Sequence, residues 1–261
     1  MGQKKRNWYL ILGTVLTALS VGYSALGLFW TPYSPTALGA GEQYAGPSLA
    51  HPFGCDHMGR DVFSRTLEGA SATLTIALAV LAIGALCGYY GGAADAVIMR
   101  LCDAIAAFPS VLLGLVVIAV IGPGKYNVIV ALGILFIPSF ARLVRGEFLK
   151  YRDRDFVRAA RLMGVPGWRI LFLHILPNTW PVLLSGLAIG FNNAVLAEAS
   201  MSYLGIGVTP PDTSLGRMIS EAQSYFTTSP WLILFPALVM ILMILGVGMV
   251  GEGIRERLGE D

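Results

Sequence analysis

Charge is scarce in this chain. Asp, Glu, Lys and Arg make up 13% of its 261 residues, about half the ~25% of an ordinary soluble domain. A water-soluble globular domain and a charge-rich disordered chain are both poor fits to that composition. Three cysteines, Cys55, Cys87 and Cys102, are too few and too scattered for a disulfide framework. No G-x-x-x-x-G-K-[ST] loop is present: Gly124-Lys125 is followed by Tyr126 and lacks the upstream glycine. Neither H-E-x-x-H, G-x-S-x-G nor C-x-x-C occurs, so the sequence offers no phosphate cradle and no catalytic residue. The net charge of +2 carries no signal for nucleic acid.

Apolar sequence is plentiful. Hydrophobic residues are 55% of the chain, and the mean hydropathy is +0.67. They fall in runs near 20 residues with the charges pushed between them, the pattern of an all-α, polytopic membrane bundle. Six transmembrane helices are expected, at 8–30, 72–90, 105–121, 128–143, 182–204 and 231–250. The fourth is short and carries Pro138. The first follows Lys4, Lys5 and Arg6 but exceeds the apolar core of a signal peptide, so a retained span is expected. Gly190, Gly246 and Gly248 suit close helix packing.

With the N-terminus inside, 14 of the 18 Lys and Arg residues fall on cytoplasmic segments. Both termini are then cytoplasmic. The expected organisation is 1–71, with the N-terminus, first span and an outer loop; 72–250, a five-span core holding a large inner loop at 144–181; and a tail at 251–261.

That inner loop is the most informative segment. A helix over 153–163 would put Phe156, Ala160 and Met163 on one face and Arg154, Arg158 and Arg161 on the other. Gly164 would end it and Pro166 prevent its continuation, with a second helix over 168–176 stopping at Pro177. Such a helix suits anionic lipid headgroups or a groove on a cytoplasmic partner. The small residues Ala159, Ala160 and Gly164 favour the groove.

The run Ala159-Ala160, three residues, Gly164, then Leu176-Pro177 resembles the EAA loop of ATP-binding-cassette importer permeases. Arg158 stands where the general pattern has Glu and His174 where it has Ile, and both departures resemble the peptide/nickel subfamily. Gly54-Cys55-Asp56-His57-Met58-Gly59-Arg60-Asp61, with Ser64-Arg65, is similar to that subfamily's G-T-D-x-x-G-R-D-x-x-S-R, with Cys55 replacing Thr. Gly88 to Gly92, Asp95, Met99-Arg100, Asp103 and Phe108-Pro109 fit as well, as does Glu198-Ala199-Ser200-Met201-Ser202-Tyr203-Leu204-Gly205. The resemblance is to the "C"-type permease and implies a type I importer permease (MetI-like) fold. It also implies a related second permease as heterodimer partner, two ABC ATPase subunits that hold ATP and Mg, and an extracytoplasmic solute-binding protein. No cofactor is expected on this chain itself. Small peptides are the first-choice cargo, with nickel or a metal–chelator complex as the alternative.

The resemblance assigns ATPase coupling to Phe156, Arg158, Ala159, Ala160, Met163, Gly164, Leu176 and Pro177. Docking of the binding protein is expected at Asp56, Gly59, Arg60, Asp61 and Arg65. His51, Cys55 and His57 have the side chains of a soft-metal site, against the plainer reading of a polar cap on the second span. Glu198 is an acid inside a span and so a functional candidate. It would line a path with Asn192 and Asn193, or make a contact between the fifth and sixth spans or across the dimer. Asp95, Arg100 and Asp103 read as a local charge network, and His174 as a hydrogen-bonding anchor of the loop. A stand-alone proton-coupled transporter would need more intramembrane acids.

Overall fold

The computed structural model describes residues 8–89 and 95–258, with only the backbone given for 83–89, 95–98, 111, 168 and 258. Lys4, Lys5 and Arg6, and Tyr90 to Gly92 of the second-span motif, lie outside the described residues, as do the Cys87 and Asp95 side chains. The main elements are helices α1 (Trp8–Phe29), α2 (Val62–Tyr89), α3 (Asp95–Ala106), α4 (Ser110–Ile121), α5 (Lys125–Arg152) and α6 (Asp155–Leu162). After them come a single turn α7 (Gly167–Arg169), a π-helical segment (Ile170–Ile175), α8 (Leu176–Tyr203), α9 (Leu215–Ala222) and α10 (Trp231–Leu258). Among the described residues the only strand-like pairing is one bridge, between Cys55 and Asp61.

Among the described residues, five helices are long and apolar enough to cross a membrane. They match five of the six expected spans, though most run further. The expected third span does not form as one helix. Pro109 has no N–H to give a helix and disfavours helical backbone at Phe108, so α3 ends at Ala106 and α4 begins at Ser110. The apolar part, α4, has 12 residues, about 18 Å at 1.5 Å per residue, short of the ~30 Å hydrocarbon core. Pro138 lies inside the 28-residue α5, buried among its neighbours, and does not end it.

α2 is the central helix. It packs most extensively on α5 and also touches α1, α8 and α10. Its Ile76, Ala77 and Val80 meet Val128, Ala131 and Leu132 of α5 and Phe191, Ala194 and Val195 of α8 in one core. α1 lies along α10 through small residues. A Cβ at Gly246 would sit 2.7 Å from the Thr17 amide nitrogen, and one at Gly13 2.7 Å from Met249 Cβ. Lipid tails are as apolar as leucine, so close van der Waals approach holds such a pair together. Ser71 Oγ donates to the Ser24 carbonyl and joins α2 to α1.

The bundle has two unlike ends. One carries the loops of residues 30–61 and 205–230, here the loop end. The other carries α6 and its arginines, here the arginine end. Gly246→Leu should pry α1 from α10 and lower the thermal midpoint of the detergent-solubilised protein, at an overpacking cost of about 1–3 kcal/mol. An unchanged midpoint would show that the helices do not rely on this approach.

Candidate functional site

Three regions hold the residues singled out by sequence. At the arginine end, α6 is anchored by Val157 and Ala160, buried with Ile170, Ile175, Phe148, Tyr151 and Val165. Gly164 follows the helix at φ +75°, a left-handed backbone that favours glycine. The Val165 amide donates to the Ala160 carbonyl and the Gly164 amide to that of Arg161, closing the helix end. Space around Gly164 is open, so its backbone and not its size is what requires glycine.

The shared face of Phe156, Ala160 and Met163 is not what forms. Ala160 is 2% exposed and turned into the protein, while Met163 is 75% exposed. Phe156 and Leu162 are exposed, as are Ala159, Arg154, Arg158 and Arg161. The inward face was claimed by Val157, whose side chain is fully buried; packing on the protein's own chain outcompetes the drawn stripe.

The expected helix stop at Pro177 does not occur either. The chain passes from the π-helical segment directly into α8, with Pro177 at its start. Proline there forfeits one backbone bond and fits a first helical turn. Neighbouring side chains satisfy carbonyls in this stretch. Asn178 Nδ2 donates to His174 O at 2.6 Å and Thr179 Oγ1 to Leu176 O at 3.0 Å. Tyr151 of α5 donates its hydroxyl to Asn178 O at 3.2 Å. The described bond at His174 is thus made to its carbonyl. Leu176 is half-buried and Pro177 exposed. Asp103 pairs across to Arg142 of α5 at 3.0 Å instead of joining Arg100.

At the loop end, a turn over 54–61 folds onto α2 and α9. Asp61 caps α2, accepting from the Ser64 amide at 2.7 Å, and its other oxygen lies 2.9 Å from His51 Nδ1. Asp56 Oδ2 accepts from Arg60 Nε at 2.6 Å and Arg65 Nη1 at 2.7 Å. Arg65 Nη2 reaches Glu221 Oε2 at 2.9 Å, and Arg217 Nε reaches Glu221 Oε1 at 2.7 Å. The backbone turns at Gly59, φ +70°, where the Asp56 carbonyl accepts from the Gly59 amide. Asp56, Gly59, Arg60, Asp61 and Arg65 are therefore brought together. Burial raises the Asp56 carboxyl, but Arg65, Arg60 and two backbone amides outweigh it and hold it below its ordinary value. Glu221 is lowered in the same way, burial being overcome by Arg65 and Arg217. Glu221 was missed by sequence reading; its i,i+4 spacing from Arg217 was the available signal.

The soft-metal set does not assemble. His57 stacks on Tyr225 with ring centroids 5.3 Å apart, whereas His51 is held by Asp61 and packs on Tyr33. Burial, then Asp61 and Asp56, push the Cys55 thiol up and disfavour the thiolate a metal would bind. Among the described residues no three His, Cys, Asp or Glu side chains converge on a point that an ion would fill.

In the membrane region the three path candidates diverge. Glu198 is fully buried, accepting from Ser202 Oγ at 2.7 Å and from Thr73 Oγ1 of α2 at 3.3 Å. Thr73 in turn accepts from the Leu215 amide, and Ser202 from the Val208 amide. The contact joins α8 to α2 and to the 205–215 loop, not to the last span. Asn192 is half-buried towards α10, its Nδ2 3.0 Å from where a Gly248 Cβ would stand. Asn193 is exposed and lines two cavities, of about 330 and 220 Å³, between α5 and α8. Both cavities also touch Phe136 and Ser139, and the larger reaches Ser110 of α4. No sequence pattern marked Ser110 or Ser139, since serine is common in membrane helices for packing reasons.

Residues 80–260 match the family model described as binding-protein-dependent transport system inner membrane component. The chain is 33% identical, over 98% of its length and 87% of the relative's, to the dipeptide transport system permease protein DppC of Alkalihalophilus pseudofirmus. It is 41% identical to the glutathione transport system permease protein GsiD of Pectobacterium atrosepticum, over 82% of this chain and 73% of that one. Among solved structures, a chain of the MetNI methionine ABC transporter in an inward-facing conformation superposes with TM-score 0.58 and 18% identity, covering 76% of this chain and 95% of that one. That likeness bears on the fold.

The charge network has a definite pH dependence. Both lowered carboxyls bind their protons more weakly folded than unfolded, so their stabilisation is present above the unfolded value of about 4 and is lost as pH falls through the lowered values. Relative to the unstructured exchange rate at the same pH, amides in residues 54–61 and 215–225 should be strongly protected at pH 7 and lose protection below about pH 4. Arg65→Met should lower that protection already at pH 7: Asp56 keeps Arg60 and Glu221 keeps Arg217, but the guanidinium that bridges the two carboxylates is lost. Protection that grows on acidification would contradict this assignment.

Proposed function

Since the chain belongs to the family of binding-protein-dependent transport inner-membrane components, we propose that it is the permease subunit of an ATP-binding-cassette importer that carries small peptides into the cytoplasm. The single observation that carries the cargo is its similarity, over most of its length, to permeases named for dipeptide and glutathione transport. In this reading the loop end faces outward and receives a solute-binding protein on the cap built around Asp56, Arg60 and Arg65. The arginine end and both termini are cytoplasmic, in keeping with the excess of Lys and Arg there. The protein sits in the inner membrane beside a second, related permease, with solute passing between them. Two ATPase subunits hold ATP and Mg and supply the energy.

Coupling falls to α6. Its apolar contacts for the ATPase are Phe156, Ala159, Leu162 and Met163, all exposed, flanked by the exposed Arg158. Ala160 and Gly164 act one step back, by seating the helix and shaping its end. Leu176 and Pro177 stand where the loop joins α8, so a shift of α6 has a short route to a helix that lines the cavities. This is a two-state element biased by ATP bound elsewhere. Nickel cargo loses its support on this chain, because His51 is bound to Asp61, His57 is stacked on Tyr225, and among the described residues no three metal-ligating side chains converge. A stand-alone proton-coupled transporter is not favoured by Glu198, whose carboxylate is enclosed by hydroxyls that hold helices together.

The test is reconstitution with the partner permease, ATPases and binding protein. Peptide-loaded binding protein should stimulate ATP hydrolysis and uptake, and nickel-loaded binding protein should not. Ala159→Glu should cut uptake at least about tenfold, equivalent to ~1.4 kcal/mol, with membrane insertion unchanged. It is a cleaner probe than Ala160→Glu, which would put a charge into the protein's own core. Uptake by Ala159→Glu at the wild-type rate would remove α6 as the docking element; no ATPase association would remove the importer reading.

A further inference from the structure

Ser139 and Asn193 are out of place for lipid-facing residues. Each sits well inside a 28-residue membrane helix, at position 15 of α5 and 18 of α8. Both side chains are exposed, and neither makes a hydrogen bond among the described residues. An amide left towards hydrocarbon without a partner is strongly disfavoured. This face therefore meets water, solute or another polar surface. Both residues line both cavities, so the two spaces are halves of one furrow with Ser139 and Asn193 at its waist.

The furrow's chemistry is narrow. None of its lining residues carries a titratable side chain. The polar groups at the waist are one hydroxyl and one carboxamide, which donate and accept hydrogen bonds without charge. That is the complement of a peptide group. Phe136 and Met201 add polarisable apolar walls that tolerate varied shapes. A bare divalent cation would find no carboxylate, imidazole or thiolate here.

We propose that Ser139 and Asn193 form a neutral polar belt that contacts the passing solute through its backbone amides and leaves the charge of its side chains unread. The inference rests on the importer reading and deepens it: selectivity by charge is absent from this wall of the path, so the solute class is set by amide hydrogen bonding. One chain then serves acidic, neutral and basic peptides alike.

The experiment uses the complete complex in proteoliposomes and three tripeptides that differ only in a central Glu, Gln or Lys, each presented on saturated binding protein. Wild-type rates should agree within about threefold. Asn193→Leu should lower all three together, by at least about tenfold. Asn193→Asp, nearly the same in shape, should impose a charge preference, lowering Glu-peptide uptake against Lys-peptide uptake by at least about fivefold. Co-purification with the partner subunits checks that each variant is assembled. As a measurement independent of transport, Asn193→Cys should react with a water-soluble, membrane-impermeant thiol reagent above the wild-type background. Peptide uptake by Asn193→Leu at the wild-type rate, an unchanged ratio in Asn193→Asp, or no labelling of Asn193→Cys in any nucleotide state would overturn the belt while leaving the importer reading intact. A wild-type complex that takes up none of the peptides would overturn the importer reading, and the belt with it.

Discussion

Inside a bilayer a polar group has no water to fall back on, and this constraint shapes every feature of the molecule. Backbone groups are satisfied within helices. Thr75 and Ser200 return their hydroxyls to carbonyls one turn earlier. Glu198 is the extreme case, fully buried and kept by hydroxyls from α2 and α8, which in turn accept backbone amides from the 205–215 loop. One carboxyl thereby fixes how the loop end rests on two central helices. Ser139 and Asn193 are exposed without such a side-chain bond among the described residues, in keeping with the polar path proposed for their face.

The two ends solve different problems with charge. At the loop end, three arginines share two carboxylates within a half-buried network that ties residues 54–65 to α9. Arg65 bridges Asp56 of the turn to Glu221 of α9, so the network favours one arrangement of the loops. At the arginine end, α6 leaves its arginines exposed and secures itself by burying Val157 and Ala160. A cap held by ion pairs at one end and a lightly anchored helix at the other suit the proposed importer, which would be recognised at the first and moved from the second.

The segment between α6 and α8 is where that movement would be taken up. A π-helical turn, a proline at the start of α8 and three carbonyls held by side chains replace the regular ladder. Such irregular turns inside helices recur at functional sites. The bonds from Tyr151 and Asn178 keep the irregularity satisfied without stiffening it into ordinary helix.

Much of this was legible from order and composition alone. Runs of apolar residues near the bilayer thickness, interrupted by arginines, determine a helical membrane protein whatever the packing. The spacing from Ala159 through Gly164 to Leu176-Pro177 marks the loop and its family, because a left-handed helix end favours glycine wherever it falls. Periodicity could say that α6 has an apolar side; it could not say which neighbours compete for it, and Val157 took the place given to Phe156 and Met163. The same limit separated Asn192 from Asn193 and joined Glu198 to Thr73, 125 positions away in the chain. His51 and His57 are close in sequence yet turn to different partners, Asp61 and Tyr225, since side-chain direction depends on a turn's backbone and on what packs against it. Local sequence determined where the long apolar helices fall, because propensity and hydropathy act over a few residues. Which polar groups meet, which face stays open and which serine lines a cavity were decided only by the tertiary packing, where contacts join residues that no short window contains.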